Sequence, residues 1–339
     1  MIRRAAGEPE IAGPARFLQA VAEPRTFLIT GALGAIGVWT ARSLLDRGHR
    51  VVTFDLGGDG HRLPLALDRE QMEALVQVDG DVTDLAVIER VLEEQAISGV
   101  IHLAALQVPF VRADPTLGAG VNVVGTTNVL EAARRHPTTG PVVYASSVAA
   151  YGPAGTLDGD DPPLTLYGVF KRTNEQTATR YFEDFGVSSI GLRPHTVYGP
   201  ARDQGMTSTP TVAMLAAAAR LHYRIPFGGS VQLQYTPDAG EAFARAALLD
   251  DYSGASVHNL DGATIAVDDL AAMIAATVPD TPDLIGAGEE PLPLVGAVDG
   301  SSFVELLGGS VMRPIADGVQ DAVRRFEQLL AEGLVAPPA

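Results

Sequence analysis

A tyrosine and a lysine four positions apart, in Tyr167-Gly168-Val169-Phe170-Lys171, follow a serine pair, Ser146-Ser147, with Tyr167 twenty positions after Ser147. Positions i and i+4 of a helix share one face, so the phenol and the ammonium would point the same way. Free tyrosine titrates near 10 and is a poor base at neutral pH. A positive charge about 4 Å away, at an effective dielectric near 20, is worth roughly 4 kcal/mol, or about three pKa units. The spacing therefore predicts proton transfer by Tyr167, with Lys171 making it acidic enough to act. A Tyr-x-x-x-Lys pair is common by chance, and only the elements around it give it meaning. The chain has no cysteine, which excludes thiolate nucleophiles, disulfides and cysteine-held metals. No metal site is expected.

The stretch most able to position such a pair lies far upstream. Thr26-Phe27-Leu28-Ile29-Thr30 is apolar and β-branched, and it breaks into Gly31-Ala32-Leu33-Gly34-Ala35-Ile36-Gly37 before an amphipathic segment to Arg47. The hydrophobic period changes across the glycines from strand to helix. Gly31 permits a tight turn, Gly34 lets backbone approach a pyrophosphate, and Gly37 lets the helix pack closely. The helix start at Gly34, Ala35, Ile36 and Gly37 offers free N–H groups and the positive end of its dipole. A second apolar run, Arg50 to Phe54, ends in Asp55, 18 positions after Gly37 and placed to accept from an adenosine ribose. Asp55 would repel a 2′-phosphate, and Arg62 lies too far along a glycine-rich loop to reverse that. The expected cofactor is NAD.

Strands and helices then alternate. Leu75 to Val78 runs into Asp79-Gly80-Asp81-Val82, where the acid can face an adenine amino group. Asp84 to Gln95 carries apolar residues at helical spacing, and Val100-Ile101-His102-Leu103-Ala104-Ala105 is a buried strand ending in small residues that leave room for a cofactor. His102 is read as a packed structural histidine. Pro115 to Arg135 is a long helix containing Asn122, and Val142 to Ser147 is the next strand. The rhythm predicts an α/β fold, a Rossmann-type doubly wound parallel sheet with ligands at the carboxyl ends of its strands.

Taken in order, Thr30-Gly31-x-x-Gly34-x-x-Gly37, Asp55, Asp81-Val82, His102-Leu103-Ala104-Ala105, Asn122, Ser146-Ser147, Tyr151-Gly152, Tyr167-x-x-x-Lys171 and Arg193-Pro194 resemble the extended short-chain dehydrogenases/reductases. Within them the likeness is to the NAD-dependent epimerases and dehydratases, and it covers Arg25 to about Gly333. The resemblance implies that Tyr167 is the acid/base and that Lys171 also bonds the nicotinamide ribose. It implies that Ser147 holds the substrate oxygen, and that Leu103, Ala104, Ala105, Asn122 and Pro194 line the cofactor. It further implies a homodimer built through the helices of Asn122 and Tyr167. Tyr151, His195, Thr196 and Arg202 are the expected substrate contacts.

The chain departs from nucleotide-sugar relatives in two places. Thr196 stands where many have asparagine, and Val231-Gln232 where they begin a diphosphate-binding motif with Arg-Asp. Losing that arginine removes roughly 1.5 to 3 kcal/mol of charge-assisted contact, for which Arg202 or Arg224 could substitute. Val148-Ala149-Ala150 replaces the Asp-Glu pair of the sugar 4,6-dehydratases, so that reaction is set aside. The expected activity is epimerisation of a sugar or nucleotide sugar by hydride transfer. The alternatives are dehydrogenation of a free sugar or polyol, and an NAD-binding sensor without turnover.

At 339 residues with a net charge of −17, the chain has the size of one large α/β unit plus a smaller one, and it is a poor partner for nucleic acid or anionic membrane. No apolar run is long enough for a membrane span. Residues 1–24, broken by three prolines, are read as an extension with a short helix near 15–21. Residues 25–200 are read as the NAD-binding part with the catalytic residues, and 201–333 as a mainly substrate-binding α/β part. A cytoplasmic location is expected.

Overall fold

The structure, a computed structural model, describes residues 23–279, 284–292 and 295–338. The short helix expected near 15–21 lies outside the described residues. Among the described residues twelve strands form: β1 Thr26–Thr30, β2 Arg50–Asp55, β3 Val76–Asp79, β4 Gly99–His102, β5 Val142–Ala145, β6 Ser189–Arg193, β7 Thr196–Tyr198, β8 Tyr223–Ile225, β9 Ser230–Tyr235, β10 Ala255–Asn259, β11 Ala263–Ala266 and β12 Ile285–Ala287.

Seven of these make one parallel sheet in the order β10-β6-β5-β4-β1-β2-β3. The chain leaves β1 in one direction through β2 and β3, then returns to β4 and continues the other way. The order therefore reverses between β1 and β4, and a crevice opens there at the carboxyl ends of the strands. Phe27, Leu28, Ile29, Val51, Val52, Phe54 and Ile101 are fully buried, because helices cover both faces of a parallel sheet.

Two helices matter most for placing side chains. The first, Ala35–Leu45, starts directly on the glycine loop and has no side-chain cap. The second, Leu166–Phe185, carries Tyr167 and Lys171; Thr165 caps its start by accepting from the Gly168 N–H at 3.1 Å, and Gly186 ends it in the left-handed conformation. At 1.5 Å per residue this 20-residue helix is about 30 Å long, enough to cross the sheet. The predicted Pro115–Arg135 helix forms as three segments, with a π-helical turn at Gly120–Val124 that holds Asn122.

The division expected at residue 200 is crossed twice. Strand β10 joins the large sheet beside β6, and the helix Thr236–Ala247 packs against the glycine-loop helix. Its alanines, all buried, let the two helices approach closely. The remaining C-terminal elements form a three-stranded sheet, β11-β9-β7, a two-stranded pair, β12-β8, and helices that include Thr209–Ala218, Val267–Ala276 and Ile315–Ala331. Among the described residues no helix is long and apolar enough to cross a membrane.

Candidate active site

The crevice widens into a cavity of about 650 Å³. Gly31, Gly34, Ala35, Ile36, Gly37, Asp55, Asp81, Val82, Leu103, Ala104, Ala105, Ser147, Tyr167, Lys171, Pro194, His195 and Arg202 all line it. Residues scattered over 170 positions are brought together because each follows the carboxyl end of a strand or begins the helix after it.

The first half of this lining is backbone. Gly31 has φ +67°, and a Cβ there would lie 2.5 Å from the Ala104 nitrogen, so the turn and its contact with the β4 end both require glycine. A Cβ on Gly37 would meet the Gly31 carbonyl oxygen at 2.5 Å, so the helix begins as close to the loop as the backbone permits. The first N–H groups of that helix have no intrahelical acceptor and no capping side chain. Asp55 accepts from the Leu33 N–H at 3.1 Å and from the Leu56 N–H at 3.0 Å, which pins the carboxylate beside the glycine loop. These are the requirements of a dinucleotide site: a close-approach turn, free donors for a pyrophosphate and a fixed acid for a ribose. The residues fit NAD.

The second half is built from side chains. Tyr167 is half-buried, and burial raises its pKa above the usual value, while Ser147 and the Arg202 charge pull it back down. Lys171 is buried and donates to the Ala145 carbonyl at 2.6 Å, with its nitrogen 5.6 Å from the centre of the Tyr167 ring. Burial lowers the Lys171 pKa to about 8, opposed by Glu175 one turn along. The ammonium is engaged by a strand carbonyl, burial of the phenol opposes its ionisation, and Arg202 is a further cation that favours it.

Below the reactive groups lies a buried network. Arg193 donates twice to Glu175, both at 2.7 Å, Ser146 donates to the same carboxylate, and Arg193 also reaches the Tyr151 hydroxyl at 3.1 Å. Tyr151 in turn donates to Asn259 at 3.0 Å. This ties the ends of β5, β6 and β10 to the Tyr167 helix. A second chain runs through His102, which accepts from Thr30 at 2.7 Å and donates to Thr126 at 3.0 Å. Thr126 spends its own proton on the Asn122 carbonyl at 2.8 Å, which fixes that direction. Burial lowers the His102 pKa to about 3, so this histidine is neutral and structural.

Three expected site residues lie outside the cavity lining. Asn122 is fully buried, and its side-chain amide exchanges two hydrogen bonds with the Leu106 backbone, at 2.7 and 3.0 Å. It shapes the loop after β4 instead of facing a ligand. Tyr151 is held in the Arg193 network. Thr196 is fully buried in β7, its hydroxyl 3.2 Å from His195 Nδ1. His195 does reach the cavity, but its Nε2 faces the Val295 and Gly296 carbonyls, so the ring anchors that segment. Arg62 overturns the expectation of remoteness. The glycine-rich loop folds back so that Arg62 donates to the Leu33 carbonyl at 3.1 Å and pairs with Asp203 at 2.7 Å. His61 joins this bridge, 2.9 Å from Asp203 and 2.8 Å from Asp59. The cavity also takes in Gln107 and Thr207, which no local spacing marked.

A doubly wound parallel sheet, a glycine loop opening a helix, an acid after β2 and a Ser–Tyr–Lys group over one crevice define a short-chain dehydrogenase/reductase of the extended type. The model of the NAD dependent epimerase/dehydratase family matches residues 27–248, and the chain belongs to that family. UDP-glucuronate 4-epimerase 2 of Arabidopsis thaliana is 32% identical over 182 residues, 51% of this chain and 42% of that protein. Protein CapI of Staphylococcus aureus is 33% identical over 182 residues, 51% of this chain and 54% of its own. The chain thus aligns with about half the length of these curated relatives. Among solved structures, the Thermus thermophilus UDP-glucose 4-epimerase complex with NAD superposes with a TM-score of 0.73 at 24% identity, covering 89% of this chain and 98% of the other. The L-threonine dehydrogenase of Clostridium difficile gives 0.77 at 21%, covering 93% and 100%. Both share the fold.

Proposed function

We propose that this chain is an NAD-dependent epimerase that moves hydride reversibly at a secondary alcohol of a sugar or nucleotide sugar. The observation that carries the reading is Tyr167 in the wall of the glycine-loop crevice, with Ser147 and a cation acting on its phenol. When bound, NAD supplies a hydride acceptor and a further positive charge near that phenol. Gly31, Ala35, Ile36, Gly37 and Asp55 would hold the dinucleotide, with Asp81 available to its adenine. Tyr167 takes the hydroxyl proton of the substrate as a carbonyl forms, and returns it when the alcohol is restored. Ser147 orients that oxygen, and Lys171 and Arg202 favour the ionised phenol. The similarity to UDP-glucuronate 4-epimerases supports epimerisation as the outcome.

The test is to denature the purified protein and measure released NAD per chain, then assay interconversion of sugar epimers. Near one equivalent, with epimers formed and no net reduced nicotinamide, is the expected result. No released NAD, with steady reduction from a free sugar, would overturn it in favour of a dehydrogenase. One observation favours that second reading: Val231 and Gln232 are buried, and Gln232 is tied to the Gly262 and Val298 carbonyls, so this position offers no cation for a diphosphate.

We further infer a homodimer through the helices of Asn122 and Tyr167. Leu117, Val124, Leu166 and Val169 on these helices are 39 to 54% exposed, an apolar surface suited to a second copy. A cytoplasmic location fits the cysteine-free composition.

A further inference from the structure

The cations of the cavity are not equivalent. Lys171 is occupied by the Ala145 carbonyl, and Arg62 by Asp203 and the Leu33 carbonyl. Arg202 has no carboxylate partner among the described residues, and its one hydrogen bond there is from Nη2 to the Thr207 hydroxyl, at 3.0 Å. Its Nε is buried without an acceptor. The neighbouring carboxylate cannot supply one, because Asp203 is already shared between Arg62 and His61. A guanidinium withdrawn from water with a donor unused is costly unless something else accepts from it.

The surroundings of Arg202 make room for an acceptor. Gly205 stands between Arg202 and Gln107: a side chain there would begin 3.3 Å from Arg202 Nη2 and 2.5 Å from Gln107 Oε1. Gln107, Thr207, Ser147 and Tyr167 line the same cavity. Arg202 and Tyr167 share this wall, and the arginine's charge favours ionisation of the phenol.

We propose that Arg202 receives a carboxylate carried on the reacting sugar unit itself, so that the substrate is a sugar acid, free or nucleotide-linked, and not a neutral sugar. The inference rests on the hydride-transfer reading above and narrows its substrate class. A planar guanidinium binds a carboxylate through two parallel hydrogen bonds, and the unused Nε with one terminal nitrogen forms the edge that such pairing uses. Placing the anion within reach of Tyr167 fixes which carbinol the tyrosine addresses. It also assigns to Arg202 a task different from that of a diphosphate arginine, which would sit at the far end of a nucleotide sugar.

Two ligand pairs test this with the full-length, NAD-loaded protein: glucuronate against glucose, and UDP-glucuronate against UDP-glucose, measured by titration calorimetry. The carboxylate member of at least one pair should bind roughly tenfold or more tightly, the scale of one charge-assisted contact. Arg202→Gln should erase that preference, Arg202→Lys should restore part of it, and both variants should keep wild-type NAD affinity and melting temperature. Equal binding within both pairs, a preference that survives Arg202→Gln, or binding of none of the four ligands would overturn the proposal. Equal loss of UDP-glucose and UDP-glucuronate in Arg202→Gln would overturn it too, and would assign the arginine to the diphosphate. Failure of the underlying reading looks different: Tyr167→Phe would then leave hydride transfer intact, whatever the ligand preference.

Discussion

The two halves of the crevice are made of different material. Around Gly31, Gly37 and Asp55 the surface is backbone held by one strand–turn–helix unit, and its donors are amides that need no side chain to aim them. Around Tyr167 and Arg202 it is made of side chains from the Leu166–Phe185 helix, the β5 end and the loop after β7, each placed by contacts with elements distant in sequence. The first half is set by local geometry, and the second depends on whether the whole sheet is assembled correctly.

That contrast can be broken most severely at Tyr167. Tyr167→Phe keeps the ring and removes the proton carrier, so turnover should fall by about 10² to 10⁴, the range for a positioned acid/base, while NAD affinity stays unchanged in a binding titration. An equal loss of NAD affinity would show that the halves are one unit. The next effect belongs to the support beneath the side-chain half. Arg193→Met leaves Glu175 buried without its partner, and should cost about 3 to 5 kcal/mol in urea unfolding. Activity should fall further than NAD binding, because the network ties β5 and β6 to the Tyr167 helix.

In the backbone half, Asp55→Asn should sharpen the comparison by changing cofactor choice alone. Wild type should bind NAD at least about tenfold more tightly than NADP, and the variant should narrow that gap, measured as dissociation constants. The smallest effect is a slope. His102 is neutral in the folded chain down to about pH 3 but takes up a proton near 6.5 when unfolded. Between these values the unfolded state binds the extra proton, so stability falls as pH drops through that window, by up to about 1.4 kcal/mol per pH unit. His102→Gln should flatten this dependence in urea midpoints taken from pH 6.5 to 4.

The two halves also differ in how far the sequence reveals them. The glycine spacing, Asp55 and the small residues after β4 all face the crevice as expected, because their work is done within a few residues of where they occur. Tyr167 and Lys171 share a face because helix geometry demands it. What Lys171 binds could not be read from spacing: the Ala145 carbonyl is 26 positions away and reaches the lysine only through strand–helix packing. The same holds for Asn122, whose buried amide finds the Leu106 backbone, and for Tyr151, drawn into the Arg193 network. The place of strand β10 beside β6 is likewise a property of the finished sheet. The helix Thr236–Ala247 carries a local signal of its own, a Thr-Pro start followed by alanines at helical spacing.

The Arg62–Asp203 pair with His61 has a consequence in time as well as in space. It joins the loop after β2 to the loop after β7, two walls of one cavity, and it rests on the glycine turn through the Leu33 carbonyl. Such a bridge between the walls would slow the release of a dinucleotide bound between them, since the two loops could part only after it broke. A catalyst that borrows a hydride and gives it back gains from such a long dwell, since every escape of reduced cofactor would strand its substrate half-converted.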